Sequence, residues 1–210
     1  MRFADLDAVT VDGYGTLVRL VDPVPSLRRA LGDRGVDCSD EAAAAGFAAE
    51  MAYYRPNALL GRDPDSLAAL RLECARIFLE AAGARLSAAS FVDAFMGAIV
   101  LEPIPGAFET VRALRARGLE TAVVSNWDIG LTEQLERLGT AALFTAIVTT
   151  AEAGAPKPEP AVFLLALERL GVAPARALHV GDEAGDEDGA RAAGMRFAPA
   201  PLATAFAGWD

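Results

Sequence analysis

Residues 8–17 read AVTVDGYGTL. Ala8, Val9, Thr10 and Val11 form a short, β-branched, apolar run that passes straight into Asp12, Gly13, Tyr14, Gly15 and Thr16, where two glycines end any regular element. An apolar strand without polar alternation is one covered on both faces, the habit of parallel sheets. Residues 121–125, 146–149 and 177–180 have the same character. Between these runs the apolar period changes to that of a helix. Phe108, Val111 and Leu114 share a face before Gly118, Leu131, Leu135 and Leu138 do so before Gly139, and a more buried helix spans 159–170 and closes at Gly171. Strands alternating with helices predict an α/β fold built on a parallel sheet.

One long interval breaks the alternation. From about residue 21 to residue 100 the chain offers only alanine-rich and amphipathic helical patterns, with Leu67, Leu70, Cys74 and Ile77 at helical spacing. An all-α insert is expected there, with Pro103 and Pro105 at its return. The expected boundaries are 1–18 and 102–210 for the sheet domain and 19–101 for the insert. A chain of 210 residues is long enough for a domain plus such an insert.

Composition narrows the function classes. An apolar share of 53% with 23% charged residues fits a chain that buries a core and excludes a disordered one. Nineteen basic against 29 acidic residues give a net charge of −10, which argues against nucleic acid as a partner. The longest charge-free runs, 138–151 and 197–209, are too short to span a bilayer, and the first residues hold no apolar signal core. A cytoplasmic protein, monomeric or homodimeric, is expected. Cys38 and Cys74 lack metal or redox spacing and read as buried thiols. His179 is the single histidine, which excludes a zinc site built on imidazoles. Lysine occurs once, at Lys157, and asparagine twice, at Asn57 and Asn126.

In open parallel sheets, ligands bind beyond the carboxyl ends of the strands. The residues at or past those ends are Asp12, then Ser125 and Asn126, then Lys157 in a loop, then Gly181 and Asp182. Four separate segments thus bring an acid, a hydroxyl with an amide, a cation and a second acid to one edge.

Those segments resemble the four motifs of the haloacid dehalogenase (HAD) hydrolase superfamily. They are Asp12-x-Tyr14-Gly15-Thr16-Leu17, then Ser125-Asn126-Trp127-Asp128, then Lys157-Pro158, and last His179-Val180-Gly181-Asp182 with Asp186, Gly189 and Ala190. They occur in the family's order and cover residues 8 to about 195. The resemblance implies a Rossmann-like parallel-sheet core with an inserted all-α cap domain. It also implies that Asp12 is the nucleophile, that Lys157 offsets its charge and that of an anionic substrate, and that Ser125 and Asn126 donate to substrate oxygens. Asp182, Glu183, Asp186, Glu187 and Asp188 crowd five carboxylates into seven residues, a repulsion relieved by a cation or by the N-terminus of the following helix. Oxygen-only ligands suit Mg²⁺. By the resemblance, Asp12, the backbone carbonyl of Tyr14 and Asp182 hold it, with Asp186 in support. His179 and Trp127 read as packing residues.

Two departures pull the reading in opposite directions. Phosphatases of this superfamily usually carry a second aspartate two residues after the nucleophile, as acid and base; here Tyr14 stands there. A phenol is a poor base near neutral pH, and an alkoxide leaving group needs a proton that a halide does not. Tyr14 therefore resembles the 2-haloacid dehalogenase branch. Gly181, Asp182 and Asp186 resemble the metal-binding phosphatase pattern instead, and Phe163 stands where that dehalogenase branch has tyrosine. The first expectation is Mg²⁺-dependent hydrolysis of a small phosphate ester or acyl phosphate. Its alternatives are metal-independent dehalogenation of a 2-haloacid, and a non-catalytic phosphate-binding protein. In the helical insert, Tyr54, Arg55 and Arg62 are the candidate contacts for a small anionic substrate.

Overall fold

The computed structural model describes residues 2–209. Its strands are β1 (Ala8–Val11), β2 (Val18–Leu20), β3 (Leu101–Pro103), β4 (Glu120–Ser125), β5 (Ala146–Thr149), β6 (Ala177–Gly181) and β7 (Arg196–Pro199). Before β3 come the helices α1 (Val24–Gly32), α2 (Asp40–Asn57), α3 (Pro64–Ala81) and α4 (Ala88–Ala98). After it come α5 (Ala107–Ala116), α6 (Leu131–Arg137), α7 (Thr150–Ala153), α8 (Ala161–Leu170), α9 (Ala184–Ala192) and α10 (Leu202–Ala205). The chain divides into two compact units: one runs to Arg19 and resumes at Glu102, and the other is Leu20–Leu101.

In the first unit, β1 is buried at all four positions because it occupies the centre of the sheet. Strand order is β5-β4-β1-β6-β7. The pairings run parallel, with Val11 beside both Val123 and Val180, so the carboxyl ends of β1, β4 and β6 come out at one edge. Covered on both faces, the strands can be apolar throughout, which is how their sequence reads. One face packs Val124, Val148, Val162, Phe163 and Leu167 into a single cluster. Each such side chain, fully buried, stabilises the fold by about 1.5–3 kcal/mol.

The Leu20–Leu101 unit has a core of its own. Phe78 of α3 meets Phe91 and Phe95 of α4 at ring centroid distances of 5.8 and 5.3 Å. Leu27, Leu31, Leu70 and Leu79 fill in around them. α3 begins where Asp63 and Ser66 satisfy each other's backbone amides and Pro64 opens the first turn. Cys38 and Cys74 are free thiols, both buried, as their spacing predicts. The fold is the expected one: a Rossmann-like α/β core with helices around a parallel sheet, and a helical insert after the first strand.

Three strands had no counterpart in the sequence reading. β2 and β3 pair as a two-stranded sheet of three residues each, too short to show a period. β7 borders only β6, and as an edge strand it admits Arg196 at its start and Pro199 at its end. Among the described residues, no helix is long and apolar enough to cross a membrane.

Candidate active site

The ladder that pairs β1 with β6 continues one residue past β1, where the Asp12 amide donates to the Val180 carbonyl at 2.9 Å. This bond holds Asp12 at the carboxyl edge of the sheet, with 4% of its surface exposed. Ser125, the last residue of β4, donates its hydroxyl to Asp12 Oδ1 at 3.2 Å.

Lys157 enters from the loop between α7 and α8. Its backbone amide donates to Asn126 Oδ1 at 2.8 Å, so the side chain following β4 pins the loop that carries the lysine. The Lys157 Nζ then donates to Asp12 Oδ1 at 2.5 Å, to Asp186 Oδ1 at 2.6 Å and to the Val124 carbonyl at 3.4 Å. All three ammonium donors are engaged.

The second acidic contribution follows β6. Asp182 Oδ1 accepts from the Thr16 hydroxyl at 3.1 Å. Gly15, at φ 89°, lies so close to Asp182 that a Cβ there would fall 2.2 Å from Oδ2. Gly181 is constrained in the same way, for its Cβ would sit 2.3 Å from Asp186 Cγ. Asp186, in the first turn of α9, is fully buried and takes the Glu183 amide on Oδ2 at 3.0 Å. The five-acid stretch thus divides its labour. Glu183 caps the helix, Glu187 pairs with Arg191 at 2.5 Å, and Asp182 and Asp186 turn toward Asp12. Carboxylate oxygens of Asp12, Asp182 and Asp186 lie within 4.8 Å of one another.

Burial dominates the electrostatics here. It raises the Asp12 carboxyl, Asp186 and Asp182 add to the rise, and Lys157 opposes it. Burial also pushes Asp186 up, but hydrogen bonds from His179 and Lys157 outweigh that push and hold it below the carboxylate range. Burial alone would lower Lys157, yet the two carboxylates win and its ammonium is retained above the usual value. Three carboxylates converge against one ammonium, so negative charge is in excess. An all-oxygen, acidic donor set of this kind fits a hard divalent cation.

His179 was expected to pack, and its ring does meet Phe163 edge-on at 4.9 Å. The structure adds polar contacts that the sequence did not disclose. Nδ1 lies 2.8 Å from the Thr10 hydroxyl and Nε2 lies 3.1 Å from Asp186 Oδ1. Thr10 and Thr16 were likewise given no role; for Thr10 the available signal was a hydroxyl residue in an otherwise apolar strand, and Thr16 stood within the first motif. Tyr14 is 43% exposed, and its ring lies 6.5 Å from that of half-buried Trp127. Tyr54, Arg55 and Arg62 belong to the Leu20–Leu101 unit. There Tyr54 packs half-buried on the apolar cluster, Arg55 stands exposed in the last turn of α2, and Arg62 lies 4.0 Å from Asp63.

A sheet edge that gathers an aspartate, a serine, a lysine and a second pair of aspartates defines a class of hydrolases. A family model for haloacid dehalogenase-like hydrolases matches residues 6–194, and the chain belongs to that family. Among curated proteins, it is 45% identical over 93 residues to the haloacid dehalogenase-like hydrolase domain-containing protein 3 of Bos taurus, covering 44% of this chain and 37% of that one. It is 41% identical over 98 residues to the glyceraldehyde 3-phosphate phosphatase of Methanopyrus kandleri, covering 45% and 42%. The matched part is therefore less than half the length of either relative. Among solved structures, the L-2-haloacid dehalogenase of Xanthobacter autotrophicus superimposes with a TM-score of 0.68 at 26% identity, covering 96% of this chain and 81% of that one. A HAD phosphatase from Thermococcus onnurineus gives 0.60 at 26% identity, covering 91% and 85%.

Proposed function

We propose that this protein is a Mg²⁺-dependent phosphohydrolase acting through Asp12 on a small phosphate ester or acyl phosphate. The observation that carries the reading is the Lys157 ammonium bridging Asp12 and Asp186 beside Asp182. That arrangement supplies a nucleophilic carboxylate, a cation for charge compensation and an acidic ligand set in one place. Similarity to a glyceraldehyde 3-phosphate phosphatase and to a HAD phosphatase supports it.

The Asp12 carboxylate attacks phosphorus, and the bond from phosphorus to the leaving oxygen breaks. The intermediate is an acyl phosphate on Asp12, which water cleaves to release phosphate and restore the carboxylate. Ser125 and Lys157, both donating to Oδ1, fix the orientation of that carboxylate. Asn126, whose Oδ1 accepts from the Lys157 amide, keeps the lysine in reach, and its Nδ2 hydrogens would donate to a substrate oxygen. Asp12, the Tyr14 carbonyl and Asp182 are the residues that would hold Mg²⁺, with Asp186 in support. When bound, the ion neutralises charge on the transferring phosphoryl group. Substrate selection is assigned to Tyr54, Arg55 and Arg62.

Tyr14 restricts the leaving group. With no carboxyl at that position to deliver a proton, groups that depart as stable anions, such as carboxylates and phenolates, are favoured over alkoxides. Acetyl phosphate and p-nitrophenyl phosphate should be hydrolysed in Mg²⁺ and not in EDTA. Equal rates in both, or none on a broad panel, reject the assignment. Tyr14 also favours a second reading, metal-free halide release from a 2-haloacid. A halide electrode that stays at background with 2-chloropropionate removes it.

A further inference from the structure

Thr10, His179, Asp186 and Lys157 form one buried chain of hydrogen bonds that ends on Asp12. The Thr10 hydroxyl lies 2.8 Å from His179 Nδ1, His179 Nε2 lies 3.1 Å from Asp186 Oδ1, and that same oxygen takes the Lys157 ammonium at 2.6 Å. Thr10, His179 and Asp186 are all 0% exposed.

Chemistry assigns the direction of the bond to Asp186. An ionised carboxylate only accepts, so the His179 nitrogen facing Asp186 must carry a proton. Its other nitrogen, Nδ1, meets the Thr10 hydroxyl, which anchors the ring from the opposite side. Phe163, edge-on to the ring, and the strand pairing of Thr10 with His179 keep the imidazole from turning.

We propose that His179 is a positioning residue for the nucleophile's lysine: anchored by Thr10 at Nδ1, it donates from Nε2 and locks Asp186 so that Oδ1 stays on Lys157. Asp186 then cannot rotate away, because the Glu183 amide holds Oδ2 at 3.0 Å while His179 and Lys157 share Oδ1. With Oδ1 saturated by two donors, the main task of Asp186 is to aim the ammonium at Asp12. A hydrogen-bond partner one shell removed from the reacting groups commonly affects activity or metal affinity about 10- to 100-fold.

The proposal goes beyond the phosphatase assignment, and its first test needs no turnover. Because His179 is the only histidine, nitrogen NMR of the imidazole in the intact protein is free of overlap. The expected spectrum shows a proton on Nε2 and an Nδ1 resonance set by the Thr10 hydroxyl. An Nε2 without a proton overturns the proposal. Thr10→Val keeps the imidazole and the strand but removes the hydroxyl, and should shift the Nδ1 resonance; an unchanged spectrum counts against the relay.

Kinetics supply the second test, with p-nitrophenyl phosphate as the probe. His179→Leu should lower kcat about 10- to 100-fold with KM within about threefold, and His179→Gln, whose amide can still donate to Asp186, should recover most of the loss. Leu and Gln variants that behave alike, at melting temperatures equal to the parent, would leave His179 with packing alone.

Discussion

At the scale of single residues, Asp12 and Lys157 carry the sharpest expectations. Asp12→Asn keeps size and polarity but removes the attacking charge, so turnover should fall by a factor on the order of 1,000 or more. Preserved circular dichroism alongside preserved turnover would refute the covalent route. Lys157→Met withdraws the only ammonium from a buried acidic cluster. Breaking a buried pair from one side costs about 3–5 kcal/mol, and urea unfolding in EDTA should show a loss of that size. Tyr14→Asp restores the carboxyl of related phosphatases and should raise turnover of alkyl phosphates about 100-fold while barely changing that of acetyl phosphate. Of the site residues, Asp12, Ser125, Asn126, Lys157, Asp182 and Asp186 are all legible in sequence, because each follows a strand end or motif that is itself visible. Thr10 and the polar role of His179 were hidden. Their partners lie 169 and 7 residues apart in the chain, and only strand pairing reveals which ring nitrogen meets which oxygen.

At the scale of elements, helix and strand were readable wherever burial imposes a period. β1 and β5 match their expected limits, and β4 and β6 extend by a single residue. β2, β3 and β7 were not readable, since a three-residue ribbon and an edge strand are defined by their neighbours. α2 holds a further surprise in Glu50, which is 5% exposed inside the helical unit. Burial pushes its carboxyl up to about 7, partly countered by a hydrogen bond with Cys74. Its folded-state value lies above the unfolded one, so the folded state holds the proton more tightly. Stability is therefore highest below about pH 4.5 and declines as pH rises toward 7, by about 3 kcal/mol in all, then levels off. Other carboxylates will superimpose their own trends. The difference between the protein and Glu50→Gln isolates this one: the two should be close at pH 5, and the variant should be more stable at pH 8. Parallel urea midpoints at both pH values would disprove it.

At the scale of the whole molecule, two units with separate cores divide the work. The Rossmann-like unit carries the acidic cluster, the serine and the lysine. The helical unit carries Tyr54, Arg55 and Arg62. Given the excess negative charge at one edge of the sheet, a cation bound there would stabilise the Rossmann-like unit. Mg²⁺ at about 100 times its dissociation constant should add about 2.7 kcal/mol, raising Tm, and EDTA should reverse the gain. Replacing Asp182 by Asn should abolish that increment; a full increment in the variant would move the ion elsewhere.

The single lysine has a practical corollary. Its ε-amine is the one side-chain amine in the sequence, and it lies sealed at 5% exposure between two carboxylates. Acylating reagents, crosslinkers and amine-coupling surfaces therefore find no lysine handle on the outside of this molecule. Reductive methylation with labelled formaldehyde would instead place a lone lysine reporter between Asp12 and Asp186, and its rate of labelling would clock how often that amine meets solvent.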